Sequence, residues 1–194
     1  MKIRLTGADA LIVTDVQLDF LPGGALAIPG GEKVIAPLNG YIGRFAATGN
    51  PVFLTRDWHP DNHLSFRGHG GVWPPHCVAD TPGGAFSPEL QPPLDNKYII
   101  SKGTAREFDA YSGFQGTMLL SLLQERGIRR VMVGGLATDY CIKNTVLGAL
   151  NCGFTVFVLQ DACQGVDVNP GDCARAWEAM LLAGAIAITA EDFA

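Results

Sequence analysis

Apolar positions along this chain follow two alternating patterns. Some runs are apolar at nearly every consecutive position: "ADALIVTDV" (8–16), "PVFLT" (51–55), "KYIIS" (97–101), "RRVMVGG" (129–135), "FTVFVLQ" (154–160) and "AIAIT" (185–189). Strands buried on both faces read this way. Between them the apolar residues recur at helical spacing. In 30–49 they fall at Val34, Ile35, Leu38, Tyr41, Ile42 and Phe45, one face of a helix. The segments 112–127, 138–153 and 169–184 read as helices in the same way. Strand–helix alternation predicts an α/β fold: a three-layer, Rossmann-like arrangement with a mostly parallel sheet of about six strands and helices on both faces. Residues 1–194 are expected to form a single domain. One segment, 56–94, is rich in Gly, Pro and His and has no period. It is long for a structureless loop in a compact domain, which marks it as a functional excursion.

Composition narrows the function classes. Hydrophobic residues make up 47% of the chain and charged residues 17%, a globular balance. The net charge is −5, with no cluster of Lys or Arg, so nucleic acid is not an expected partner. The apolar runs are strand-sized and too short to span a bilayer. No signal-peptide pattern opens the chain. The cysteine count is odd, at five, with no CxxC pair, which suggests a reducing, cytoplasmic setting. Whether the protein is a monomer or a homo-oligomer is left open.

Ligands of open α/β sheets gather beyond the carboxyl ends of the strands. Asp15, Asp57, Lys102 and Cys141 all fall at or just after such ends, so a parallel sheet would line them along one edge. Thr138 is a plausible N-cap for the helix that follows, placing Cys141 in its first turn. There, free N–H groups can stabilise a thiolate or an oxyanion. The alternative is a small apolar core residue, the reading given to Cys77, Cys152, Cys163 and Cys173. Asp15 could equally cap a turn, and Lys102 could be an ordinary solvated lysine. Together the three fit a cysteine nucleophile with a carboxylate that takes and returns its proton.

All four histidines, His59, His63, His69 and His76, lie in the excursion. Asp57 and His59 are two apart and share a face if extended. Asp with two or three His is a ligand set for a first-row transition metal. His63 could join if the segment turns helically. His69, between glycines, is left out. Phe20 and Trp73 could wall a pocket or be ordinary core.

The stretches "DVQLDF", "TRDWHPDNHLSF", "WPPHCV…TPGG", "SKGT…YSGF" and "GGLATDYC", in this order over about residues 10–165, resemble the nicotinamidase/pyrazinamidase group of the isochorismatase-like hydrolases. The resemblance implies hydrolysis of nicotinamide, and of analogues such as pyrazinamide, to the acid and ammonia, with NAD salvage as the setting. It implies Asp15 as the catalytic carboxylate, Lys102 as its lysine partner and Cys141 as a nucleophile forming a thioester. It implies a cis peptide at Leu136–Ala137, with an oxyanion hole from the N–H groups of Ala137 and Cys141. A divalent ion (zinc, iron or manganese) would be held by Asp57, His59 and His76, with His63 a direct ligand in some members. Phe20, Trp73 and Leu136 would bind the ring of a small pyridine carboxamide. Two rivals stand beside this reading: a metal-independent hydrolase of a ureido or N-carbamoyl compound in the same superfamily, and a non-catalytic metal-binding module. The latter should show no depressed cysteine pKa.

Overall fold

The computed structural model describes residues 2–194. Six strands form one sheet: β1 (Asp9–Thr14), β2 (Val52–Asp57), β3 (Lys97–Lys102), β4 (Arg130–Leu136), β5 (Thr155–Gln164) and β6 (Ile186–Ile188). Their order is β3-β2-β1-β4-β5-β6, and every pairing is parallel. The order reverses between β1 and β4, so the crevice of this Rossmann-like sheet opens beyond their carboxyl ends.

Alternate residues of β1 serve the two faces. Leu11 and Val13 pack with Leu38, Tyr41, Ile42 and Phe45 of helix α1 (Ile35–Ala47). Ala10 and Ile12 pack against α2 (Leu119–Glu125), α3 (Lys143–Asn151) and α4 (Asp172–Leu182) on the other side. That two-sided burial is why the strand is apolar at successive positions. Among the described residues no helix is long and apolar enough to cross a membrane.

Two helices are shorter than their apolar spacing predicts. The segment 30–49 opens with a 3-10 turn, Gly31–Val34, before α1 begins. Of 112–127 only Leu119–Glu125 is α-helical. Gly116 takes φ +64° there, outside the helical region. The Thr117 hydroxyl donates back to the Gly113 carbonyl, so the polar start of this segment winds as turns.

The excursion has its own order. It leaves the end of β2, and bridges His59↔Val78 and Phe66↔Trp73 tie it internally. It returns at Ala85–Ser87, where it meets the chain after β1: Leu18 N–H donates to the Ala85 carbonyl (2.9 Å) and Ser87 N–H to the Val16 carbonyl (3.0 Å).

Candidate active site

Asp15, Asp57, Lys102 and Cys141 meet around one ammonium. Lys102 Nζ lies 2.9 Å from Asp15 Oδ2, 2.5 Å from Asp57 Oδ1 and 3.3 Å from Cys141 Sγ. It also donates to the Ala110 carbonyl at 3.2 Å. Lys102 is 1% exposed and Asp15 0%, so these charges interact without solvent screening. Burial alone would lower the Lys102 pKa, but Asp15 and Asp57 hold it well above its ordinary value. Asp15, Asp57 and Cys141 together also offer ligand atoms close enough for a metal, but the ammonium already stands among them.

Asp15 sits at φ +51°, uncommon for a residue with a side chain. Its Oδ1 accepts from Thr55 Oγ1 at 2.6 Å. Oδ2 faces Lys102 without hydrogen-bond alignment, which leaves a lone pair open toward the thiol. Burial raises the Asp15 pKa, Lys102 and Thr55 pulling the other way.

Cys141 departs from the sequence expectation. Its turn, Thr138–Ile142, is a π-helical turn capped by Ala137, and no side chain caps it. Thr138 is therefore inside the turn and not its cap. Nor is the thiol poised as a free thiolate: burial raises its pKa well above the ordinary value, Lys102 only partly offsetting this and Asp15 and Asp57 adding to it. Three acidic groups around one cation cannot all ionise. Burial raises the pKa of both the Asp15 carboxyl and the Cys141 thiol, so the pair favours holding a proton. The Ala137 carbonyl accepts from Tyr140 N–H (3.1 Å) and Ile142 N–H (3.0 Å), passing over Cys141 between them. The Leu136–Ala137 peptide is cis.

Asp57 links this cluster to the histidines. Its Oδ1 is taken by Lys102, while Oδ2 lies 3.8 Å from His59 Nε2. Asp57, His59 and His76 are buried, with ligand atoms all within 4.8 Å of one another. His59 Nδ1 contacts the Gly103 carbonyl at 2.9 Å and His76 Nδ1 the Pro74 carbonyl at 2.8 Å. A carbonyl only accepts, so each Nδ1 carries the proton and each Nε2 keeps its lone pair for a ligand. Burial lowers the His76 pKa, favouring the neutral ring. Burial would lower His59 too, but Asp57 and the Gly103 carbonyl raise it. One carboxylate oxygen and two imidazole nitrogens suit a divalent first-row metal.

His63 stands apart from that group. It stacks on His59 at 4.2 Å between ring centroids. Its Nδ1 meets Ser65 Oγ at 2.8 Å and its Nε2 the Phe108 carbonyl at 3.2 Å, so both nitrogens are engaged by the protein. His69 is outside the cluster as well.

A cleft opens over both clusters, lined by Phe20, Trp73, Leu136, Ala137 and Cys141 together with Asp57, His59 and His76. All the residues expected to line a pocket are there. Several that pattern reasoning missed are there too. Tyr111 Oη accepts from Trp73 Nε1 at 3.0 Å, and Tyr140 packs edge-on to Trp73 at 5.2 Å. Phe66, buried behind the cleft, sets its ring against His59, His63 and His76 at 5.5–5.8 Å. Tyr140, directly before Cys141, was findable by position; Tyr111 carried only the "YSGF" context.

The isochorismatase domain model matches residues 9–192, and the chain belongs to that family. It is 38% identical to a nicotinamidase of Escherichia coli (strain K12) over 208 aligned positions, covering 95% of this chain and 96% of that protein. Among solved structures it is similar to the pyrazinamidase of Pyrococcus horikoshii in complex with zinc, with TM-score 0.89, 47% identity, and coverage of 94% of this chain and 99% of that one. It is also similar to PnC1 from L. infantum in complex with nicotinate, with TM-score 0.91, 33% identity, and coverage of 100% and 99%.

Proposed function

We propose that this protein is a nicotinamidase, a metal-dependent amidohydrolase that converts nicotinamide to nicotinate and ammonia and accepts pyrazinamide. The observation that carries the reading is the double use of Asp57. One oxygen pairs with Lys102 beside the thiol, and the other faces the histidine cluster. A ring anchored at the histidines therefore presents its amide to Cys141. The relatives acting on nicotinamide and pyrazinamide support the substrate class. Nicotinate is a precursor for NAD salvage. The free cysteines fit a cytoplasmic enzyme.

Asp57, His59 and His76 would hold one divalent ion, zinc in this reading, which supplies a Lewis-acid anchor for the ring nitrogen. The protein does the rest. Phe20, Trp73 and Leu136 confine the ring. The Cys141 thiol passes its proton to Asp15 as sulfur attacks the amide carbon. Ala137 and Cys141 N–H groups hold the oxyanion. Asp15 returns the proton to nitrogen, the C–N bond breaks, ammonia leaves and a thioester remains. Asp15 then takes a proton from water as the water attacks the thioester, and gives that proton to the departing Cys141 sulfur, so nicotinate is freed and the thiol is restored. Lys102 keeps the neighbouring carboxylates tolerable throughout.

The test is ammonia release from nicotinamide by protein as purified, stripped by a chelator, and reloaded, with Asp57→Ala alongside. Release should vanish on stripping and return on reloading. Asp57→Ala should bind the metal more than about 100-fold more weakly, since loss of even an outer partner weakens affinity 10–100-fold, and should raise KM. Full metal occupancy in Asp57→Ala would overturn the ligand assignment. Release from an N-carbamoyl compound alone would point to the ureido hydrolases.

The acid limb of kcat/KM offers a second check. Thr55 donates to the ionised form of Asp15. Removing that donor favours the protonated acid, so Thr55→Val should move the limb to higher pH at saturating metal. An unmoved limb would argue that Asp15 is not the group titrating.

A further inference from the structure

We infer that Gln17 positions the Asp57 carboxylate by standing in for a missing strand. This rests on the metal reading of Asp57 given above.

β1 pairs with β2 as far as Thr14↔Thr55, and Asp15 N–H still donates to the Thr55 carbonyl at 3.1 Å. Beyond that the left-handed turn at Asp15 takes the main chain away. β2 runs on to Asp57, whose backbone N–H and C=O would then face a gap on the β1 side. Both groups are buried, and a buried unpaired backbone group destabilises the fold. Gln17 fills the gap with its side chain. Its Oε1 accepts from Asp57 N–H at 2.8 Å, and its Nε2 donates to the Asp57 carbonyl at 2.7 Å. The primary amide thus meets both backbone groups of Asp57, which a continuing parallel strand would meet with two separate residues. The second proton of Nε2 goes to the Gly84 carbonyl at 2.9 Å. Meanwhile the Gln17 main chain bridges to Phe86 of the returning excursion.

Gln17 is 0% exposed, and its side-chain hydrogen bonds go to Asp57 and Gly84, not to the thiol or the imidazoles. Two of its three bonds fix the backbone of the residue whose two oxygens serve opposite clusters, and the third ties the amide to Gly84. A backbone shift at Asp57 would move Oδ2 off the histidine group while Lys102 still held Oδ1. Gln17 is accordingly a positioning residue whose first effect is on metal affinity.

The experiment measures metal affinity of the folded protein by competition with a zinc chelator, without substrate. The proteins are wild type, Gln17→Met, Gln17→Glu and Val146→Ala. Methionine keeps the length and volume but makes none of the bonds. Glutamate can accept from Asp57 N–H but cannot donate to either carbonyl. Val146 is buried on the opposite face of the sheet and serves as a stability control. The expected result is binding weaker by about 10- to 100-fold in both Gln17 variants, with KM for nicotinamide rising more than kcat falls. Val146→Ala should lower Tm and leave affinity unchanged. Should Gln17→Met fail to fold, Gln17→Glu carries the comparison. Gln17 variants with lowered Tm but zinc affinity within twofold of wild type would overturn the inference. A wild type that takes up no zinc would overturn the metal site itself and this inference with it, and that arm separates the two failures.

Discussion

Cys141→Ala should lower kcat for nicotinamide by about four orders of magnitude or more, with metal content and nicotinate binding close to wild type. The size follows from what is removed: without the nucleophile, only ring positioning and oxyanion donors remain, and groups that act as a unit lose nearly everything when one is deleted. The retained binding follows from the geometry. Cys141 contacts Lys102 Nζ but belongs to neither the Asp57–His59–His76 group nor its supporting carbonyls. Alanine also relieves a buried acid, so the fold should tolerate it. Ammonia release and chelator-competition titration on one preparation check both halves. Turnover surviving in Cys141→Ala would remove the thiol from the chemistry. Loss of metal together with turnover would mean that the two clusters are not separable as described.

The largest effect on stability should come from Lys102→Met. The ammonium is the common partner of Asp15 and Asp57, both buried. Removing it leaves two carboxylates facing each other without a cation. Breaking a buried pair in this way destabilises by about 3–5 kcal/mol, because the remaining charge cannot return to water. In a chain of this size that corresponds to a fall in Tm of roughly 6–20 °C. Adding Asp15→Asn to Lys102→Met should recover part of the loss, since it removes one of the stranded charges. Thermal unfolding of the single and double variants in the metal-free state reads this directly. A single variant with wild-type Tm would mean that the cluster carries no such electrostatic tension.

The edge on which Asp15, Asp57, Lys102 and Cys141 meet is legible in the sequence, because a parallel sheet sends all its carboxyl ends one way. Apolar runs marked the strands, and the polar residue ending each run marked the edge. What governs each group once there was not legible. Position in the first turn of a helix suggested a stabilised thiolate at Cys141. Burial, a three-dimensional property, raises its pKa instead, which is why the proposed mechanism gives the thiol Asp15 as its base. The histidines could not be separated by residue type either. His59 and His76 differ from His63 in how many ring nitrogens the protein occupies, Nδ1 alone in the first two and both in His63, and those partners come from distant segments or local turns. Glycines misled the helix at 112–127, where apolar spacing from Leu119 onward was extended back through Gly113 and Gly116. Gln17 carried one overlooked signal: an amide side chain two residues after a strand-end aspartate, beside buried Val16. Its meaning depends on the gap that the Asp15 turn leaves next to β2.

The central claim is that Cys141 opens the amide of a ring held at the histidine cluster. Its most direct test is a rapid acid quench of the metal-loaded enzyme during turnover of nicotinamide, followed by mass analysis of the intact protein and its peptides. The account predicts a nicotinoyl group, attached as a thioester, on the peptide containing Cys141 and on no other cysteine. It should be absent from Cys141→Ala and from metal-stripped protein. Sustained ammonia release with no adduct at Cys141 at any quench time, or an adduct that forms equally well without metal, would contradict it.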